Sequence, residues 1–394
     1  MEFSFTEEQQ MIRDTAEAFL SEVSTSAAVR TAMATESGFD DQLWQRVCNE
    51  MYWQAIHIPE QYGGMGLGYV ELVATLEQMG RYLFCSPFFS TVCLAANALL
   101  IAGTEAQKEQ YLPQIVAGKT ATLAYTGVNG GWDADAVEAT YQHVGDEYVL
   151  SGTWRYVPDG HTADILIIAA REQGSVGTAG ISLFVLPGDG IEIEREWLPT
   201  MDQTRKQAQL RLNKVTVPAD ALMGPAEGQM WPALAKIIDL ATIAVAAEQV
   251  GGAQQALDCT VAYTQQRVQF NRTIASYQAV KHKAADMMVK AEAARSAVYY
   301  AACVAQEAME DGPLGGELAE AASVAKAWCS DAYFFNAGTG IQLHGGVGFT
   351  WEYDIQLYFK RAKSSETLFG NGAFHRERIA RQLLGPCGMQ GADL

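Results

Sequence analysis

The amino-acid sequence predicts an α+β fold in three consecutive parts: an N-terminal all-α domain, a middle antiparallel β domain and a C-terminal four-helix bundle. Three observations predict it. Apolar residues recur near 3.6-residue spacing early in the chain. Short β-branched runs broken by Gly, Pro and Asp fill the middle, and from Trp231 onward a helical, alanine-rich pattern returns. At 394 residues the chain is long for one core and comfortable for two or three units of about 150 residues. The changes of texture place the boundaries at 1–119, 120–225 and 226–394.

In the first part Phe5, Met11, Ile12, Ala16, Phe19 and Leu20 form one apolar face. Thr6 followed by Gln9 reads as a capped helix start. A second helix is expected over 69–83, after the breaker Tyr62-Gly63-Gly64-Met65-Gly66, and a third over 105–116, stopped by Gly118. The middle part carries strand-like runs at 147–150, 165–168, 181–186, 191–193 and 208–212. In the last part long helices are expected over 231–268, 278–310 and 317–338, with a shorter one after Trp351. Gly312-Pro313 and Gly315-Gly316 mark the hairpin between the second and third.

Twenty-seven Lys and Arg against 46 Asp and Glu leave a net charge of −19. Binding to nucleic acid or to an anionic membrane needs a surplus of the opposite sign, so both classes are disfavoured. The seven cysteines are widely spaced, from Cys48 to Cys387, with no CxxC pair, which suits neither a disulfide framework nor a structural zinc site. The N-terminus is acidic and mixed, unlike a targeting peptide, and no apolar run reaches the roughly 20 residues of a membrane span. A soluble cytoplasmic protein is expected.

Common nucleotide and metal motifs fail. No GxGxxG follows a strand, Pro113 stands where a Walker motif needs glycine ahead of Gly118-Lys119-Thr120, and HExxH is absent, so no metal site is expected. Two segments are more informative. Arg267-Val268-Gln269-Phe270 puts a planar cation, an amide and a ring at the end of a long helix, a combination suited to a pyrophosphate; the plain alternative is a solvated helix end. Gln342-Leu343-His344-Gly345-Gly346 offers paired glycines that let backbone approach a ligand; the plain alternative is a helix-terminating turn.

Taken together, RxQF, QLHGGVGFT about 70 residues later and the Tyr358-Phe359-Lys360-Arg361 helix resemble the acyl-CoA dehydrogenase family. The resemblance extends to Ile58-Pro59-Glu60-Gln61-Tyr62-Gly63-Gly64-Met65-Gly66, to Leu76-Glu77-Gln78-Met79-Gly80-Arg81 and to Val215-Thr216-Val217-Pro218-Ala219, so it covers nearly the whole chain. It implies FAD as cofactor and oxidation of an acyl-CoA thioester at Cα–Cβ, a glutamate removing the α proton while the flavin takes the β hydride. It also implies a FAD shared across a dimer interface. One protomer holds the flavin ring with its β domain and catalytic loop, and the neighbour holds pyrophosphate and adenosine. By this resemblance Arg267, Gln269, Phe270, Gln342, Gly345 and Gly346 are the FAD contacts donated to the neighbour; only the family's glycine after Phe is changed, to Asn271.

The ring-holding half departs from the pattern. The family's TEPxAGSD stretch reads Thr126-Gly127-Val128-Asn129-Gly130-Gly131-Trp132-Asp133, and its Trp-Ile-Thr segment reads Tyr156-Val157-Pro158. The catalytic Tyr-Glu-Gly-Thr aligns with Leu368-Phe369-Gly370-Asn371, so Phe369 occupies the usual base position; Ala241 occupies the alternative one on the first long helix. Glu366 is a candidate replacement base, against its pairing with Lys363 three residues before. Asp239 lies about 200° around the helix from Ala241, and Glu248 about 10 Å along it.

The pattern resembles the partner subunits of heteromeric acyl-CoA dehydrogenases of bacterial steroid side-chain catabolism. It implies an α2β2 assembly with a homologous catalytic subunit, an acyl-CoA substrate and an electron acceptor such as electron-transfer flavoprotein. The alternatives are a homotetrameric enzyme using Glu366 and a flavin-free structural or regulatory member of the family.

Overall fold

A computed structural model describes residues 6–385; Phe5 of the first apolar face and Cys387 lie outside them. The chain opens with α1 (Glu7–Val23), α2 (Ser26–Ala34), α3 (Asp41–Arg46), α4 (Tyr69–Arg81), α5 (Asn97–Ala102) and α6 (Glu105–Val116). Thr6 and Thr104 each close a capping box, with Gln9 and Gln107 returning the bond. Such caps are worth about 1 kcal/mol and set where α1 and α6 begin. α5 continues a π-helical turn, Phe89–Ala96, that is buried throughout.

Seven strands follow: β1 (Ala121–Ala124), β2 (Thr140–Val144), β3 (Glu147–Pro158), β4 (Ile165–Glu172), β5 (Ile181–Pro187), β6 (Glu194–Leu198) and β7 (Gln207–Pro218). They form one sheet in the order β1-β4-β2-β3-β7-β6, with β5 also on β4. Most pairings are antiparallel; β1 and β2 each pair with β4 in parallel. Period-2 alternation divides β4 between two cores. Ile165, Ile167 and Ala169 face the helices, whereas Leu166, Ile168 and Ala170 face Tyr141, Trp154 and Phe184. This strand therefore fixes the sheet to the bundle.

The last part holds α7 (Trp231–Gln266), α8 (Gln278–Met309), α9 (Leu318–His344), α10 (Ile355–Thr367) and α11 (Gly372–Leu384). α9 runs six residues past the end expected at 338, straight through Gly338-Thr339-Gly340. The glycines there serve packing: a Cβ on Gly340 would lie 2.6 Å from Ile355 and 2.7 Å from Thr260. α7 crosses α4 at equally close range. A Cβ on Gly251 would meet the Glu77 carbonyl at 1.7 Å, and one on Gly80 the Glu248 carbonyl at 2.0 Å. Among the described residues no helix is long and apolar enough to cross a membrane.

Candidate functional site

Two regions bear on chemistry, and they differ in exposure. The first lies where α7 and α9 end together. The Tyr263 and His344 rings stack at 4.2 Å, and the Tyr263 hydroxyl donates to the His344 carbonyl at 3.2 Å. Beyond that stack Arg267 leaves the helix with extended backbone. Val268–Gln269 pairs with Arg272–Thr273, and the turn between them is Phe270-Asn271 with φ 52° and 62°. Two successive left-handed residues make the tight hairpin turn that suits strand twist, and Asn tolerates that conformation where the family has glycine. The turn throws the Phe270 ring into solvent, 88% exposed.

Arg267 has no carboxylate partner among the described residues and shares a depression of about 510 Å³ with Tyr263, Gln266, His344, Val347 and Tyr353, and with Glu352 and Asp354, the latter paired with Arg30. Gln342 is exposed on the last turn of α9, and Gly345 ends the helix at φ 66°. A Cβ on Gly345 or Gly346 would meet nothing within 4 Å. The fold thus brings Arg267 and the glycine pair to one surface, with Gln269 and Phe270 on the hairpin that continues from Arg267. A cation, an aromatic face and an unobstructed backbone form an acceptor surface for a diphosphate and a planar base.

The second region is interior and filled. Phe369 follows α10 at φ 58° and is 3% exposed. Its ring centroid lies 5.6 Å from Trp132, edge to face, and 6.2 Å from Phe89; Trp132 in turn meets Tyr125 at 6.3 Å. The backbone around Phe369 is pinned. The Lys326 ammonium donates to the Glu366 carbonyl at 2.9 Å, the Gly370 carbonyl at 2.8 Å and Ser330 Oγ at 3.1 Å, and His375 Nε2 lies 3.0 Å from the Phe369 carbonyl. Burial pulls that ammonium down to about 7.

Ala241 is fully buried on α7. Asp239 is bound by both arms of Arg378, at 2.8 and 3.2 Å, and Glu366 Oε2 accepts from Lys363 at 2.9 Å. Pro158 gives only its carbonyl, to the Thr122 hydroxyl at 2.6 Å. Beside the aromatic group a cleft of about 390 Å³ is lined by Trp132, Tyr156, Asp202, Lys363, Thr367 and Leu368. Sequence reasoning missed a buried ionic group behind it: Asp202 and Arg205 between β6 and β7, Glu248 on α7 and Arg361 on α10. The available signal was Glu248 alone in the alanine-rich run of α7, a charge that burial must pair.

Residues 6–119 match the model of the acyl-CoA dehydrogenase N-terminal domain, and residues 231–384 that of the acyl-CoA dehydrogenase C-terminal domain. The acyl-CoA dehydrogenase IpdE2 of Mycolicibacterium smegmatis is 32% identical over 93% of this chain and 95% of its own length. Butyryl-CoA dehydrogenase from Megasphaera elsdenii superposes with a TM-score of 0.88 at 29% identity, over 98% of this chain and 100% of that one. A chain of the ChsE4-ChsE5 complex from Mycobacterium tuberculosis does so with a TM-score of 0.85 at 26% identity, over 98% and 100%.

Proposed function

The chain belongs to the acyl-CoA dehydrogenase family, and from that premise we propose that it is the subunit that lends the adenosine and pyrophosphate half of a shared FAD site to a homologous catalytic partner. The assembled enzyme would desaturate an acyl-CoA thioester at Cα–Cβ, a steroid side-chain CoA being the substrate class to try first. The observation that carries the reading is Phe369: the usual base position holds a buried aromatic ring packed on Trp132 and Phe89.

The two halves of the family's FAD site fit the cofactor unequally. On the donated side the open glycine pair, Arg267 and Phe270 suit the ADP moiety, Arg267 meeting the pyrophosphate as a two-pronged donor. On the ring side Trp132 packs on Phe369 and Pro158 has no N–H to offer a flavin ring, which leaves the cleft of about 390 Å³ beside Trp132 without that donor. A bound FAD supplies the hydride acceptor; the α-proton acceptor must come from the other chain, because here neither Phe369 nor Ala241 can take a proton. A partner also has a surface to meet. Trp328, Asp331, Phe335 and Gln342 recur at helical spacing along one exposed face of α9, which leads to the glycine pair. The ChsE4-ChsE5 complex, a two-protein assembly among the structural neighbours, supports a heteromeric arrangement.

Purified alone, the protein should carry little FAD; co-expressed with a homologous subunit that retains the glutamate, the complex should show flavin absorbance and be bleached by acyl-CoA. A fully yellow homotetramer from solo expression overturns the proposal and favours a base within this chain. A colourless complex with every such partner favours the flavin-free alternative.

A further inference from the structure

Four charged side chains, Asp202, Arg205, Glu248 and Arg361, meet in the interior near Phe369, and a fifth, Asp159, bonds to Ser90 of the neighbouring Phe89 turn; each is no more than 9% exposed. Glu248 of α7 is their centre. Its Oε2 accepts from Arg205, which comes from the β6–β7 connection, and lies 3.7 Å from Arg361 Nη1 of α10. Arg361 also places Nε 3.0 Å from Asp202 Oδ2 and 2.8 Å from Thr204 Oγ1. Asp202 Oδ1 accepts from the Thr204 backbone N–H at 2.9 Å and its hydroxyl at 2.6 Å, which shapes the connection so that Arg205 points inward. The Arg205 guanidinium lies 4.3 Å from the Phe89 ring centroid, and the next residue, Ser90, donates to Asp159 Oδ2 at 2.7 Å in the turn after β3.

We propose that Asp202, Arg205, Glu248 and Arg361, with Asp159 bonded to Ser90 of the Phe89 turn, form a clamp that joins the sheet, the bundle and the Phe89 turn around this chain's own interior. The ion pairs cross between parts of the fold, and Arg205 and Arg361 share Glu248, so loss of one guanidinium weakens the hold of the other. The aromatic ring that receives Arg205 is the one that packs on Phe369, so the ionic group and the aromatic filling act as one unit. Burial raises the Asp159 carboxyl to about 6 despite the Ser90 bond and the two guanidiniums, consistent with a group of three acids and two bases closed off from water. The clamp rests on the proposed reading for its purpose, an inert interior in a non-catalytic chain; its coupling is a property of this chain alone.

The test is a double-mutant cycle on the purified protein with Arg205→Met, Arg361→Met and both, unfolded by urea. Arg205 and Arg361 make no direct bond, so independent residues should give additive effects. The clamp predicts that each single variant is strongly destabilised and that the second adds little, leaving a coupling of about tenfold or more in the unfolding constant. Additivity within about twofold overturns it. If the single variants do not fold, Glu248→Gln with hydrogen exchange decides: the clamp predicts faster exchange together at 88–91, 200–206 and 358–362, and a rise confined to α7 overturns it. FAD content of an assembled complex is read separately, so failure of the clamp and failure of the shared-cofactor reading are distinguishable.

Discussion

At the scale of single residues, the carboxylates near the interior each have an assigned partner. Asp239 is held by Arg378, Glu248 by Arg205, and Glu366 by Lys363. Glu366 is the one candidate base near Phe369 in sequence, and its Oε2 faces an ammonium at 2.9 Å on the outer side of α10. Glu366→Gln keeps the size and removes the proton acceptor. Turnover of the complex should stay within about threefold of wild type, whereas loss of a working base costs about two orders of magnitude or more. Anaerobic stopped-flow flavin reduction separates the two. The assignment of Phe369 and Ala241 to the family's base positions comes from the resemblance in sequence, and the structure adds that both are buried. The ionic group was not legible. Arg205 and Arg361 reach Glu248 from 43 and 113 residues away, and neither periodicity nor local spacing records a contact of that range.

At the scale of elements, local chemistry was legible and packing was not. The Thr6 cap, the breaker before α4 and the hairpin between α8 and α9 follow from residues within four or five positions of one another. The length of α9 does not, since Gly338 and Gly340 look like a stop until Ile355 and Thr260 are seen against them. The same holds for α7, whose Gly251 sits mid-helix. Alanine at an ordinary mid-helix glycine stabilises by about 1 kcal/mol through propensity. Here a Cβ would press on the Glu77 carbonyl at 1.7 Å and the Arg81 nitrogen at 2.7 Å, which are backbone atoms and cannot step aside. Gly251→Ala should therefore destabilise by about 2 kcal/mol net, the crowding penalty of about 1–3 kcal/mol or more exceeding the propensity gain. Urea unfolding of the purified protein checks the sign, and a stabilised variant would place α4 and α7 further apart than described.

At the scale of the whole molecule, the proposed reading turns on which half of a shared site this chain would keep. Phe369 and its neighbours are packed by side chains of this chain, while the end of the bundle presents Arg267 beside the helix end at His344, with Phe270 exposed on the adjoining hairpin and Gln342 exposed on α9. Phe369 is in ring contact with Trp132 and Phe89, and the cleft of about 390 Å³ beside Trp132 is the space left on that side. A surface with no ligand duty would gain nothing from an unpaired guanidinium beside a bare backbone turn. Arg267 lies at the C-terminus of α7, outside the core and without a carboxylate partner among the described residues, so its removal leaves no buried charge stranded. Arg267→Ala should accordingly leave folding and subunit assembly intact. It should weaken FAD retention by the complex about ten- to a hundredfold, because a hydrogen bond to a charged group contributes roughly 1.5–3 kcal/mol. Flavin release measured by fluorescence on dilution, with subunit mass followed in parallel, reads both quantities on one sample. Unchanged release would remove Arg267 from the cofactor surface, and dissociated subunits would make it an assembly residue instead.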